Sequence, residues 1–219
     1  MDVESSGSGG APQAEASLDA AVTSSVISGN YAAAARLCEE LELETCSTPN
    51  TDAAPARYAR HIMVYMILND LDNARHLWRR IDEGIKAGGS ELEATWEVGK
   101  LLWKREISAA YAALQRTWSA ELAPLATALL EAVREHEFAL LGKAYTNVGV
   151  STAAAALGMD EAGALAFCTA RNWTADAGGV MLTPVAPAPA EPSFEGLQQM
   201  QYLTEHVTFL EKSKLTAPS

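Results

Sequence analysis

Ser151–Leu182, STAAAALGMDEAGALAFCTARNWTADAGGVML, is the stretch that decides the fold. Ser151 is a fitting N-cap, because its hydroxyl can accept from the unpaired N–H groups of a first helical turn. Ala153 to Leu157 is a run of strong helix formers. Gly158 ends it, since glycine tolerates the left-handed conformation that a helix C-terminus often needs. Asp160 is the next cap, and Glu161 adds negative charge at the positive end of the helix dipole. Met159, Ala162, Leu165 and Thr169 recur on one helical face, and Asn172 closes the helix. Trp173 begins an extended segment, Asp176 to Gly179 carries turn chemistry, and Val180-Met181-Leu182 returns as a strand. Helix, turn, helix, hairpin is the plan of a winged helix.

A winged helix that reads DNA or RNA needs Arg, Lys, Asn or Gln on its second helix. From Tyr145 to Leu182 the charged residues are Asp160, Glu161, Arg171 and Asp176. That surface repels phosphate, the main source of nucleic-acid affinity. The whole chain agrees, with a net charge of −12 over 219 residues. Nucleic acid and anionic membranes are therefore poor general partners. No apolar run reaches the roughly 18 residues that would span a bilayer. The N-terminal MDVESSGSGG has neither the basic nor the apolar region of a secretory signal. Cys38, Cys46 and Cys168 lack the spacing of a disulfide framework and read as small hydrophobes in a reducing compartment.

Residues 1–17, rich in Gly, Ser, Ala and Glu, are expected to be a disordered tail. Helical periodicity fills 18–148, and 149–183 form the winged element. Breaks in the helical part carry their own signals: Ser28-Gly29-Asn30, the loop Ser47–Pro55, Asn69-Asp70, Gly88-Gly89 before a Ser90/Glu93 capping box, and Pro124 opening a helix through Tyr145. Tyr31, Ala34 and Leu37 are echoed by Leu71, Ala74 and Leu77, and again by Ile107 and Ala110 with Leu114 nearby. These offsets of 40 and 36 residues approach the two-helix unit of tetratricopeptide-like arrays. The expected fold is mostly α: irregular helical repeats with Trp78, Trp96, Trp103 and Trp118 mostly in the core, then a winged-helix subdomain.

Thr183–Ser193 holds four of the nine prolines. It makes 184–193 an extended, semi-stiff linker. The C-terminal stretch, 194–212, reads as one amphipathic helix. Leu197, Met200, Leu203, Val207 and Leu210 step by 3, 3, 4 and 3, close to a heptad seam. Separated from the domain by prolines, this stripe is expected to pack against other chains. The hairpin, with Trp173, Val180, Met181 and Leu182, offers a second partner interface, since an open strand edge invites strand addition. Arg75, Arg79 and Arg80 form a basic cluster, either paired to local acids or available to an acidic partner.

Catalytic chemistry finds no support. His61, His76, His136 and His206 are scattered and expected at the surface, and Glu135-His136-Glu137 lacks the second histidine of a zinc-binding HExxH. Cys38 and Cys46 lie too far apart to chelate together. Gly84, Gly88 and Gly89 lack the following Lys-Ser/Thr of a phosphate loop. No catalytic, cofactor-binding or metal-binding residues are assigned.

Helical repeats, a winged helix and a detached terminal helix together resemble the PCI-domain family. Four stretches carry the likeness further: NDLDNARHLWRRI (Asn69–Ile81), ELEATWEVGKLLWKREISAAYAAL (Glu91–Leu114), AAAALGMDEAGALAFCTARNWTAD (Ala153–Asp176) and LQQMQYLTEHVTFLE (Leu197–Glu211). They look like the eighth-subunit family of the COP-nine signalosome, over about Val22 to Lys212. The proteasome lid and translation initiation factor three, where RNA contact is conceivable, are the alternative branches. The Gly/Ser-rich tail and the Ala-rich helix before Gly158 depart from the pattern. The resemblance implies a non-catalytic scaffold in a hetero-oligomer of PCI and MPN subunits that removes a ubiquitin-like modifier from cullins and so regulates cullin-RING ubiquitin ligases. The catalytic zinc would sit in another subunit. It implies no cofactor, no direct nucleic acid, no membrane, and residence in cytoplasm and nucleus.

Overall fold

One turn, used three times, lays out the N-terminal half of the computed structural model. The structure describes residues 11–45, 53–88, 90–176, 178–185 and 195–215. The turn joins α1 (Ala11–Ile27) to α2 (Tyr31–Thr45), α3 (Ala54–Ile67) to α4 (Leu71–Arg80) and, after the short α5 (Glu83–Gly88), α6 (Ser90–Trp103) to α7 (Ile107–Leu114). Each time one residue turns left-handed: Gly29 at φ +73°, Asn69 at +58°, Arg105 at +62°. Each time two nested backbone hydrogen bonds close the preceding helix. Asn69 N–H donates to Met66 O and Asp70 N–H to Tyr65 O, with the same pattern at Gly29/Asn30 and Arg105/Glu106. This is a Schellman closure, which satisfies the orphan carbonyls of a helix end. The loose sequence repeat is therefore a strict backbone repeat. Asp70 caps α4, its carboxylate accepting from Asn73 N–H at 3.1 Å.

α3 is the hub of the array, touching α2, α4, α5, α6 and α8. α8 spans Ala123–Ala144 and is opened by Pro124. His61 to Met66 are all buried, as a helix packed on every side requires. Ala34, Ala74 and Ala110 are buried where helices approach closely. Trp78, Trp96 and Trp118 are only half-buried, and Trp103 is 48% exposed. The tryptophans thus line the surface of the array more than they fill its centre. Trp78 stacks on Trp96 at 5.2 Å, and each keeps one face at the rim.

Helix begins at Ala11, not near Leu18. Residues 11–17 contain Ala, Gln and Glu, strong helix formers, and the carboxylate of Glu15 pairs with Arg57 on α3. The remainder of the expected tail, 1–10, lies outside the described residues, as do Cys46, 186–193 of the linker and Phe194 at the start of the expected terminal helix.

The winged element follows the expected plan with shifted caps. β1 (Val148–Gly149), α9 (Val150–Leu157), α10 (Glu161–Thr169), β2 (Thr174–Ala175) and β3 (Met181–Thr183) come in that order. Gly149, not Ser151, is the N-cap of α9, because Val148-Gly149 pair with β3 and the helix starts directly from that strand. Asp160 stands at the N-cap of α10 in extended conformation but makes no side-chain cap hydrogen bond. The buried residues of α10 are Ala164 and Cys168, so the inward face is rotated from the expected Met159–Thr169 line. Asn172 is left-handed at φ +67°, and Gly179 N–H donates to Asp176 O at 2.9 Å to close the hairpin.

The remaining helix, α11 (Glu195–Leu215), belongs to a separate unit, 186–219.

His61 departs from its expected surface position. It is 3% exposed, stacks against Tyr65 at 4.5 Å, and has Nδ1 4.0 Å from Glu42. Burial, aided by Arg80 and Arg60, holds its pKa down at about 3. In the unfolded chain the imidazole takes up a proton below about 6.5, whereas the folded one stays neutral, so this stabilisation is complete above pH 6.5 and fades as pH falls toward 3. Between pH 7 and pH 4 the loss should reach about 2–3 kcal/mol. Urea titrations at both pH values should show His61→Leu losing markedly less midpoint than the parent. Equal losses would remove His61 as the acid-sensitive group.

Candidate partner interfaces

Each half of the winged element is built around one anchor. Trp173 is 5% exposed and stacks on Phe138 of α8 at 4.5 Å. Leu182 is fully buried with Leu157, Cys168 and Trp173 in the same cluster. Both therefore hold the sheet to its helices and present little to a partner. Val180 is 65% and Met181 40% exposed, and the Val180 carbonyl already accepts from Val150 N–H at 2.9 Å.

The sheet order is β1-β3-β2, all antiparallel. Val148 faces Leu182 on one side of β3, and Ala175 faces Leu182 on the other. The strand expected to be an open edge is thus the central one. The hairpin partner of β3 was legible, but the pairing with β1 depends on residues 32 and 34 positions away and left no local signal. The outer edges belong to β1 and to β2, whose Thr174 and Ala175 are both exposed.

α10 has no Lys or Arg along its length. Two cations flank it: Arg171 pairs with Glu135 and lies 3.6 Å over the Phe167 ring, and Arg134 donates to Leu157 O at 3.1 Å. Nothing on this helix is arranged to meet phosphate. Burial pushes the thiol pKa of Cys168 up, and that of Cys38 up to about 11, so neither is an activated nucleophile. Among the described residues no three His, Cys, Asp or Glu side chains gather as a metal site would need. No described helix is long and apolar enough to cross a membrane.

On α11, Leu197, Met200, Leu203, Val207 and Leu210 are each between 53% and 64% exposed. Tyr202 and Phe209, at 66% and 69%, add a second apolar line about 150° around the helix from the centre of the first. That second line went unread because only one seam was sought. The helix is apolar over more than one face, too broad for pairing with a single neighbour.

The basic cluster of α4 is split by the structure. Arg80 donates two hydrogen bonds to Glu42 of α2, at 3.0 and 2.9 Å. Arg79 is exposed. Arg75 points elsewhere, its guanidinium 5.2 Å over the ring of Trp103 on α6.

An array of helical repeats ending in a winged helix, with a separate amphipathic helix after it, defines a PCI-type assembly protein. Residues 54–193 match the model of the CSN8/PSMD8/EIF3K family, and the chain belongs to that family. It is similar to the COP9 signalosome complex subunit 8 of Xenopus tropicalis, 36% identical over 176 residues, which cover 80% of this chain and 90% of the relative. The subunit 8 of Danio rerio is 33% identical over 178 residues, covering 80% and 93%. That of Arabidopsis thaliana is 31% identical over 178 residues, covering 81% and 90%.

Proposed function

We propose that this chain is the eighth subunit of a COP9 signalosome, a structural part without chemistry of its own. The observation that carries the reading is likeness to relatives of that name over nearly their whole length, in animals and a plant alike. The complex acts on cullins by removing their ubiquitin-like modifier, with its zinc site in another subunit. In this chain two elements hold it in place. An outer edge of the winged sheet, at β2 or β1, takes a strand of a neighbouring PCI subunit, since short exposed edges are templates for strand addition. α11 enters a bundle of helices from PCI and MPN subunits, which its two apolar lines suit. Cytoplasm and nucleus are the compartments such a complex occupies. A proteasome-lid or initiation-factor role with RNA contact fits less well, because α10 offers no cation.

Affinity purification of the tagged full chain from its source tests this. Signalosome subunits should come with it in fixed ratio, and the complex, but not the isolated chain, should cleave modified cullin. Recovery of lid or initiation-factor subunits instead would sink the reading, as would cleavage by the isolated chain with one equivalent of bound zinc.

A further inference from the structure

The face formed by α4 and α6 holds a cavity that its own side chains leave unfilled. It is a partly open cavity of about 210 Å³, lined in part by Leu71, Ala74, Trp96, Gly99 and Trp103. Two of the smallest residues, Ala74 and Gly99, form part of its wall. A Cβ on Gly99 would come within 3.3 Å of the Trp96 ring and 3.4 Å of the Met66 sulfur. An apolar cavity of about 150 Å³ holds a benzene molecule, so this one accepts a single large apolar side chain. Trp103 stays 48% exposed beside it.

The rim is cationic. Arg75, Lys100 and Lys104 line the same cavity. None of the three makes an ion pair among the described residues, although Asp72 and Glu97 lie on the same helices. Three unpaired cations around one apolar hole stand out on a protein of net charge −12. Arg75 is already held over Trp103, so its guanidinium can take a carboxylate without first being ordered. Tryptophan and arginine around a central pocket are the residues that most often dominate binding energy.

We propose that this cavity docks an acidic segment of another protein: one large apolar side chain enters it, and carboxylates on either side pair with Arg75, Lys100 and Lys104. Neither α4 nor α6 belongs to the winged sheet or to α11, the two elements given the assembly role above. The site leaves this subunit able to recruit a client or regulator while held in a larger complex.

Panning a random dodecapeptide display library against the full chain tests this. The enriched peptides should share one Trp, Phe or Leu flanked by Asp or Glu. Their affinity should fall roughly tenfold or more for the Lys100→Glu/Lys104→Glu chain, and likewise for Trp103→Ala. Lys100 and Lys104 are exposed, so the charge-reversed chain should keep the parent melting curve. Absence of enrichment would overturn the proposal. So would enrichment of neutral or basic peptides, or binding that the charge reversal leaves unchanged.

Discussion

Gly158→Ala should destabilise the folded chain by about 2–5 kcal/mol, combining roughly 1–2 kcal/mol for a left-handed alanine with roughly 1–3 kcal/mol of overpacking. Gly158 ends α9 at φ +63° and ψ +41°, a conformation that strains any residue with a Cβ. The added methyl would also meet the Tyr111 ring, with Cδ2 only 2.2 Å away. That ring is held by two contacts. Its hydroxyl donates to Ala156 O at 3.1 Å, and Arg134 lies 5.7 Å from the ring centroid. Arg134 is itself fixed, donating from Nε to Leu157 O at 3.1 Å. Burial pushes the Tyr111 phenol up to about 12, so the donor stays protonated through the neutral range. Gly29 supplies the internal control: it too is left-handed, at φ +73°, but a Cβ there meets nothing within 4 Å. Gly29→Ala should therefore cost only the backbone strain, about 1–2 kcal/mol. Denaturant titrations of both variants separate strain from clash. Equal losses at the two positions would mean that Tyr111 does not brace the winged helix against the helical array.

That contact also marks where sequence reading stops. Gly158 was legible as a helix end, because the signal lies in the residue itself and its neighbours. Its second role was not, since Tyr111 is 47 positions earlier and nothing local couples them. The same division runs through the molecule. The turns at Gly29 and Asn69 were read as breaks, through residues that tolerate left-handed backbone; the turn at Arg105 was missed, because an arginine gives no such sign. The winged helix was read from its punctuation, yet the middle strand was taken for an edge because β1 is supplied from across the fold. The basic run at Arg75–Arg80 reads as one cluster along the chain. Helical geometry sends its ends to different neighbours, Arg80 to Glu42 and Arg75 to Trp103. The cavity beside Arg75 had no sequence signal at all, because its wall is assembled from side chains of two separate helices, α4 and α6.

Ending the chain after Thr183 should abolish co-purification with other subunits while leaving the thermal melt of the remaining protein nearly unchanged. The described side chains of α11 between Gly196 and Lys212 are exposed, and the helix belongs to a unit of its own. The five stripe residues would each contribute on the order of 1.5–3 kcal/mol on burial. Tyr202 and Phe209 extend the face beyond a single seam. Ordering the helix costs about 1–2 kcal/mol per residue of backbone entropy. An isolated helix of this length is marginal in water, so only burial in a partner bundle makes it persist. Leu203→Asp with Val207→Asp should reproduce the truncation within the full-length chain, because two carboxylates would enter a dry seam without partners. Tyr202→Asp with Phe209→Asp tests the second face. If α11 sits among several helices, this pair should also block incorporation. If it pairs with one neighbour only, the second line stays in water and the substitutions should be silent. Hydrogen exchange supplies the remaining arm: amides of α11 should exchange freely in the isolated chain and become protected in the complex. A melt lowered by several degrees on truncation, with those amides already protected in the free chain, would show instead that the helix stabilises its own molecule.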